Sequence, residues 1–165
     1  MNLYLSQPSF WKREYILTKD DGSQIAGMKY SNSFFVKNNE AEVATNNGAW
    51  IIKRKSFWSA EVLVIEKNTQ IVVCTFKYNG WRKLMKCTID FNNYHFKKAG
   101  FFRSVYSWEN EAGENIMMYK PVSGLKLKLN IESNEKHNRD KNLFLLLFIG
   151  AYQINSIRAA AASAG

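Results

Sequence analysis

One short segment near the end of the chain is apolar on every side, and it restricts the possible folds more than any other feature. Residues 143–152 contain only leucine, phenylalanine, isoleucine, glycine, alanine and tyrosine. A helix that is hydrophobic all round has to be buried, in protein or in lipid. Ten helical residues rise only about 15 Å, which is roughly half of a bilayer core. We therefore expect this segment to be a helix enclosed by the strands that precede it.

The chain before that segment is patterned as many short β-strands. Residues 62–65 and 71–76 are rich in β-branched side chains, and residues 125–131 alternate strictly between apolar and polar. Asn79-Gly80, between aromatic-flanked runs, is a strong hairpin signal. Ten to twelve strands at this short, regular spacing are typical of a barrel or a sandwich. We predict one mainly β domain over residues 1–165, with strands at about 10–132 and a central helix at about 140–162.

The charge of the chain is concentrated in its middle third. The net charge is +9, and residues 51–100 alone carry ten basic and three acidic side chains, a net of +7. Such asymmetry favours an anionic partner such as a phosphate group, a membrane surface or a nucleic acid. A solvated outer face is the alternative explanation. Two cysteines are too few for a disulfide framework, and the first residues lack a signal-peptide pattern, so a cytoplasmic location is expected.

The basic residues of this middle region are the candidate binding residues. Lys53 and Lys55 point to one face of a strand and Arg54 to the other. If Lys53, Lys55 and the outward cations of later strands converge outside the barrel, they form an anion-binding patch. Trp58 or Trp81 would then be able to lie at a membrane interface. The full set of candidates for anion or lipid binding is Lys53, Arg54, Lys55, Arg82, Lys83, Lys86, Lys97 and Lys98.

No catalytic or metal-binding motif is present in the sequence. The two histidines, His95 and His137, have no clustered cysteine or carboxylate that would complete a zinc site. Glu109, Glu111 and Glu114 flank a turn, where polar residues are ordinary. There is no Gly-x-Ser-x-Gly elbow, phosphate-binding loop or dinucleotide fingerprint. We therefore predict no enzyme activity, no catalytic residue, no metal and no cofactor.

The pattern of strands followed by an apolar helix resembles the Tubby C-terminal-like superfamily, which includes Tubby domains, phospholipid scramblases and LURP-one-related proteins. The resemblance rests on an opening hairpin from Trp11 through Asp20-Asp21-Gly22 to Ile25, a late hairpin from Tyr106 to Gly113, and the helix at 143–152. It implies a closed or nearly closed antiparallel barrel of about twelve strands around the buried C-terminal helix. Family members bind phosphoinositide headgroups or associate with membranes. The resemblance assigns no individual residue to that role.

Two functional predictions follow. The first is a non-enzymatic protein-interaction or structural domain with a Tubby-like barrel. The alternative is a binding module for anionic lipid headgroups or a membrane surface, which uses the basic residues of the middle strands. The expected partner is accordingly an unidentified protein or an anionic membrane surface. Nucleic acid is not expected, nor is a transmembrane span. Under the alternative, a cytoplasmic protein would attach peripherally to the membrane.

Overall fold

The structure is a closed antiparallel barrel of twelve strands with one long helix through its lumen. It is a computed structural model that describes residues 1–9, 12–31, 40–56, 58–99, 104–124 and 126–163, so Trp11 lies outside the described residues. The barrel confirms the predicted fold class. Its strands are β1 Asn2–Ser6, β2 Glu14–Lys19, β3 Gln24–Tyr30, β4 Ala41–Thr45, β5 Gly48–Arg54, β6 Glu61–Glu66, β7 Val72–Asn79, β8 Leu84–Ile89, β9 Asn92–Ala99, β10 Val105–Asn110, β11 Asn115–Pro121 and β12 Lys128–Ser133.

The first strand closes the barrel. Each strand pairs with its neighbour in the chain, and β1 pairs with both β2 and β12, in a register that sets Leu3 opposite Ile131 and Leu5 opposite Leu129. Leu3 and Leu5 are buried, as are their partners. β1 lies before residues 10–132, the range over which the sequence predicted strands. Closure leaves no free sheet edge among the paired strands, which removes a template for aggregation.

The apolar segment is the buried part of a longer helix, α1, which spans Leu143–Ser163. Every described side chain from Leu145 to Ile154 is buried, so the helix has no solvated face over three turns. Just before the helix begins, the Asp140 carboxylate accepts hydrogen bonds from the Asn142 backbone N–H at 2.8 Å and from the Tyr94 hydroxyl at 3.0 Å. The prediction of a buried central helix is therefore confirmed.

The helix is held to the barrel wall by two aromatic side chains. The Trp108 indole N–H donates to the carbonyl of Leu146 at 2.9 Å, and the Tyr119 hydroxyl lies 3.1 and 3.0 Å from the carbonyls of Leu146 and Leu147. Both aromatic side chains are fully buried, so these hydrogen bonds satisfy polar atoms that would otherwise be costly to enclose. Because Gly150 has no side chain, it leaves room for the side chains of Trp108 and Tyr119 against the helix.

The two ends of the barrel are distinct because consecutive hairpins turn at alternate ends. The end from which the C-terminal half of α1 emerges is called the exit end here. There the Arg158 guanidinium donates to the carbonyl of Gly124, between β11 and β12, at 2.9 Å. The β5–β6, β7–β8 and β9–β10 hairpins also turn at the exit end. At the opposite end, where α1 begins, Lys141 forms an ion pair with Asp90 of the β8–β9 hairpin at 2.9 Å.

Candidate functional site

A cavity of about 480 Å³ opens at the exit end, between the barrel rim and α1. Arg54, Lys83 and Lys98 line it from three different parts of the rim. Alternation along the strands explains why they meet there. Ile52 and Phe96 are buried in the lumen, and Arg54 and Lys98 lie two residues further along the same faces, where the strands leave the core. We call these three residues and their cavity the exit pocket.

The three cations of the exit pocket lack counter-charges. Neither a side-chain hydrogen bond nor an ion pair links Arg54, Lys83 or Lys98 to another described residue. Among the described residues that line the cavity there is no aspartate or glutamate. The positions outside the described part of the chain also contain neither of these residue types. Positive charge is thus concentrated in a concave site whose described lining residues include no carboxylate.

A buried tyrosine also lines this pocket. Tyr152 of α1 is 1% exposed, and its hydroxyl has no hydrogen-bond partner among the described residues. Burial raises the pKa of Tyr152 to about 12, against the opposing effect of the positive charges on Arg54 and Arg13. The hydroxyl is therefore neutral at physiological pH and retains its proton for donation. An unpartnered buried donor beside three free cations suits an anionic ligand.

Two further arginines add to the positive potential around the helix exit. The Arg13 guanidinium lies over the Tyr30 ring, 4.9 Å from its centroid, and Tyr30 stacks on Tyr152 at 5.8 Å and 11°. Burial raises the pKa of Tyr106, a pocket-lining residue, whereas the positive charge of Arg158 lowers it. Sequence reasoning did not select Arg13 or Arg158, because they lie far from the basic middle strands. Their positions follow only from barrel closure and from the helix exit.

The outward cations that the sequence analysis grouped do not form one patch. Lys53 lies on β5 and Lys97 on β9, four strands apart, which corresponds to about 19 Å around the barrel wall. Lys97 is paired with Glu109 at 2.6 Å, and Lys55 with Glu61 at 2.7 Å. These ion pairs reduce the local charge available to a ligand.

Arg82 and Lys86 lie together in a depression on the outer wall, which we call the outer groove. The depression measures about 380 Å³, and Lys77 and Glu61 also line it. Lys86 stands directly across from Lys77 in the register of β7 and β8, so two like charges are adjacent there. Of the eight candidates, the structure thus brings Arg54, Lys83 and Lys98 into the exit pocket and Arg82 and Lys86 into the outer groove. Lys53, Lys55 and Lys97 lie apart on the wall and the rim.

Two tryptophans project from neighbouring hairpins at the exit end. Trp58 lies between β5 and β6, and Trp81 between β7 and β8, with exposed fractions of 91% and 95%. The Asn79-Gly80 turn is longer than the two-residue turn that this dipeptide typically forms, because Asn79 pairs with Leu84 and four residues connect the strands. The Asn79 side chain accepts from the Arg82 backbone N–H at 3.0 Å. Trp81 consequently lies in the loop and not in a strand.

The remaining titratable groups do not form a comparable site. Among the described residues, no group of three or more histidine, cysteine or carboxylate side chains is placed to hold a metal ion. Cys74 and Cys87 are buried free thiols, and the pKa of Cys87 is raised by its contact with Cys74 and by burial. A polar cavity at the opposite end is lined by Glu111, His137, Asp140 and Lys141, so it combines acidic and basic groups where the exit pocket has only cations.

Comparison with known proteins leaves the chain without an assigned relative. No protein-family model matches it, and neither the curated proteins nor the solved structures include a match. Membership of the Tubby C-terminal-like superfamily therefore stays a prediction. In the described part of the chain, α1 alone is long and apolar enough to cross a membrane, and most of its apolar window is buried inside the barrel.

Proposed function

We propose that this domain binds an anionic, phosphate-bearing group in the exit pocket. The observation that carries the proposal is the convergence of Arg54, Lys83 and Lys98, all without counter-charges, around a cavity that Tyr152 also lines. Some cations of the described chain are paired with carboxylates, as Lys29, Lys67 and Lys120 are. The exit-pocket cations are unpaired, and three of them line one cavity.

The chemistry of the pocket favours phosphate over a single carboxylate. A guanidinium offers several N–H donors in a planar fork, and ammonium groups act as mobile point charges, so together they match the oxygens of a phosphate group. The neutral Tyr152 hydroxyl supplies a further donor. A cavity of about 480 Å³ is of the size that takes a small molecule or a headgroup.

A lipid headgroup is the source of phosphate that the pocket's position favours. The cavity opens at one end of the barrel, where hairpin tips, and not a long wall, would face a membrane. This is the lipid-binding alternative of the sequence analysis, moved from the outer wall to the helix exit. A protein-interaction or structural role, which was the first prediction from the sequence, stays a prediction, and the absence of anion binding would favour it.

The test compares two triple variants with the same change in charge. Arg54→Gln, Lys83→Gln, Lys98→Gln removes the pocket cations, and Arg82→Gln, Lys53→Gln, Lys86→Gln removes one arginine and two lysines from the wall and the β7–β8 loop. Co-sedimentation is measured with phosphatidylcholine vesicles, with and without phosphatidylinositol bisphosphate. A Lys or Arg near an anionic surface contributes about 1 kcal/mol, so the pocket variant should bind acidic vesicles about 100-fold more weakly.

Several outcomes are informative. Retention of binding by the pocket variant, together with a loss in the outer variant, would move the site to the outer groove and contradict the proposal. Titration with inositol hexakisphosphate separates the two sources of phosphate, because it presents the same chemistry without a bilayer. If wild-type protein binds neither the vesicles nor the soluble polyphosphate, the proposal is wrong.

A further inference from the structure

We infer that Trp58 and Trp81 insert into the lipid–water interface beside the exit pocket, so that the barrel docks end-on to an anionic membrane. This inference rests on the proposed function and adds to it a bilayer-contacting surface and an orientation. The partner is a membrane that contains anionic lipid. The two tryptophans would supply the apolar contact, and the pocket cations the electrostatic one.

The position of the tryptophans relative to the cations is the first argument. Ala60 and Gly80 line the exit pocket, and Trp58 and Trp81 lie two residues and one residue away from them in the chain. The two hairpins are neighbours, because β6 and β7 pair with each other. Both tips therefore lie next to the pocket on the same end of the molecule.

The exposure of the tryptophans is the second argument. A large aromatic side chain that is more than nine-tenths exposed contributes little to the core, and tryptophan, like tyrosine, is enriched at membrane interfaces. Its ring buries an apolar body while the indole N–H remains able to bond to headgroups or water. Two such side chains on adjacent tips, next to unneutralised cations, form a surface that is complementary to an anionic bilayer.

The opposite end of the barrel provides an internal comparison. It also exposes large apolar side chains, Phe91 and Ile71, at 100% and 64%. Phe91, however, follows Asp90, and the same end mixes the carboxylates of Asp20, Asp21 and Glu111 with the cations Lys19, Lys136 and Arg139. The lining of the exit pocket has cations and no carboxylate, so charge complementarity to an anionic surface favours the exit end.

The experiment uses the full chain and compares Trp58→Ala, Trp81→Ala with Phe91→Ala. Binding is measured to vesicles of phosphatidylcholine and phosphatidylinositol bisphosphate and, separately, to inositol hexakisphosphate. The tryptophan double variant should bind vesicles about tenfold more weakly and bind the soluble polyphosphate with unchanged affinity. Phe91→Ala should behave as wild type in both measurements. All three substituted side chains are exposed, so thermal unfolding should be unchanged.

Fluorescence quenching by brominated phosphatidylcholine in the same vesicles tests insertion itself. Wild-type emission should be quenched on binding, and Trp58→Phe, Trp81→Phe should lose most of that quenching. Equal vesicle affinity of wild type and the alanine double variant would overturn the inference, and would leave the exit pocket as a phosphate site without aromatic anchors. Binding of the polyphosphate but not of vesicles would also overturn it. If wild-type protein binds neither the polyphosphate nor the vesicles, the proposed function is rejected as well.

Discussion

Gly150 of α1 lies directly against Tyr119 of β11, and no side chain fits between them. A Cβ atom on Gly150 would lie 2.7 Å from Cζ of Tyr119 and 2.9 Å from Nε1 of Trp108. The same two aromatic side chains hydrogen-bond to the helix carbonyls of Leu146 and Leu147. One glycine therefore lets the wall approach the helix backbone closely enough for these bonds to form.

Replacing Gly150 with alanine should destabilise the protein by about 1–3 kcal/mol, because the added methyl group overpacks the contact with Tyr119. Helix propensity alone predicts a gain of about 1 kcal/mol, so the sign of the change distinguishes the two effects. Urea unfolding is the measurement. In the double variant with Tyr119→Phe the two costs should be less than additive, since the hydroxyl that meets the new methyl is gone. A stabilised Gly150→Ala variant would contradict this packing.

Introducing a charge into the buried part of α1 should prevent folding. Leu146→Asp places an unpaired carboxylate at a residue with 0% exposure, which costs several kcal/mol, a large part of the stability of a single domain. Ala160→Asp is the matched control, since Ala160 is exposed on the same helix. We expect the control to give a native circular dichroism spectrum and Leu146→Asp an unfolded or insoluble protein. Normal folding of Leu146→Asp would mean that the helix does not fill the barrel.

Alkaline pH should weaken the fold through the buried tyrosines. Burial raises the pKa of both Tyr152 and Tyr94 to about 12. A raised pKa in the folded state means that the full stability is present below pH 10, the ordinary tyrosine value, and is lost as pH rises towards 12. Each such group should lower the free energy of unfolding by about 1.4 kcal/mol per pH unit in that window. Tyr152→Phe should show a shallower decline in urea unfolding between pH 10 and 12, and an identical slope would contradict the assignment.

Vesicle binding should depend on salt through the exit pocket. The screening length is about 8 Å at physiological ionic strength and about 3 Å at 1 M, so the attraction between Arg54, Lys83 or Lys98 and an anionic surface weakens as salt rises. Wild-type co-sedimentation should fall steeply over this range. The Arg54→Gln, Lys83→Gln, Lys98→Gln variant should start lower and change little. Parallel salt curves for the two proteins would place the responsible charges elsewhere.

The core of the fold was predictable from local patterns, whereas the closure of the barrel was not. All-round apolarity in residues 143–152 predicted the buried helix, and the alternation of Leu127, Leu129 and Ile131 predicted one buried face in β12 and the residue before it. β1 was not predicted, because its alternating apolar pattern consists of only two residues, Leu3 and Leu5. Its pairing with β12 joins residues at the two ends of the chain, which no local signal reports.

The candidate site was predictable in composition but not in arrangement. The eight candidates include all three exit-pocket cations, and alternation already assigned Arg54 to the face opposite Lys53. The inward face at a barrel rim is the mouth of the lumen, however, and that follows only from the positions at which the strands end. The role of Tyr152 depends on how far α1 extends beyond the core. The exposed position of Trp81 depends on a loop of four residues between β7 and β8, whereas Asn79-Gly80 predicted a turn of two residues.

The central claim is that the exit pocket is the anion site, and calorimetric titration with inositol hexakisphosphate tests it most directly. The pocket variant Arg54→Gln, Lys83→Gln, Lys98→Gln is compared with Arg139→Gln, Lys19→Gln, Lys136→Gln, which removes the same charges from exposed positions at the opposite end. We predict that wild type and the opposite-end variant bind with equal affinity and that the pocket variant binds at least about tenfold more weakly. Equal affinity in all three proteins, or the greater loss in the opposite-end variant, would contradict the claim.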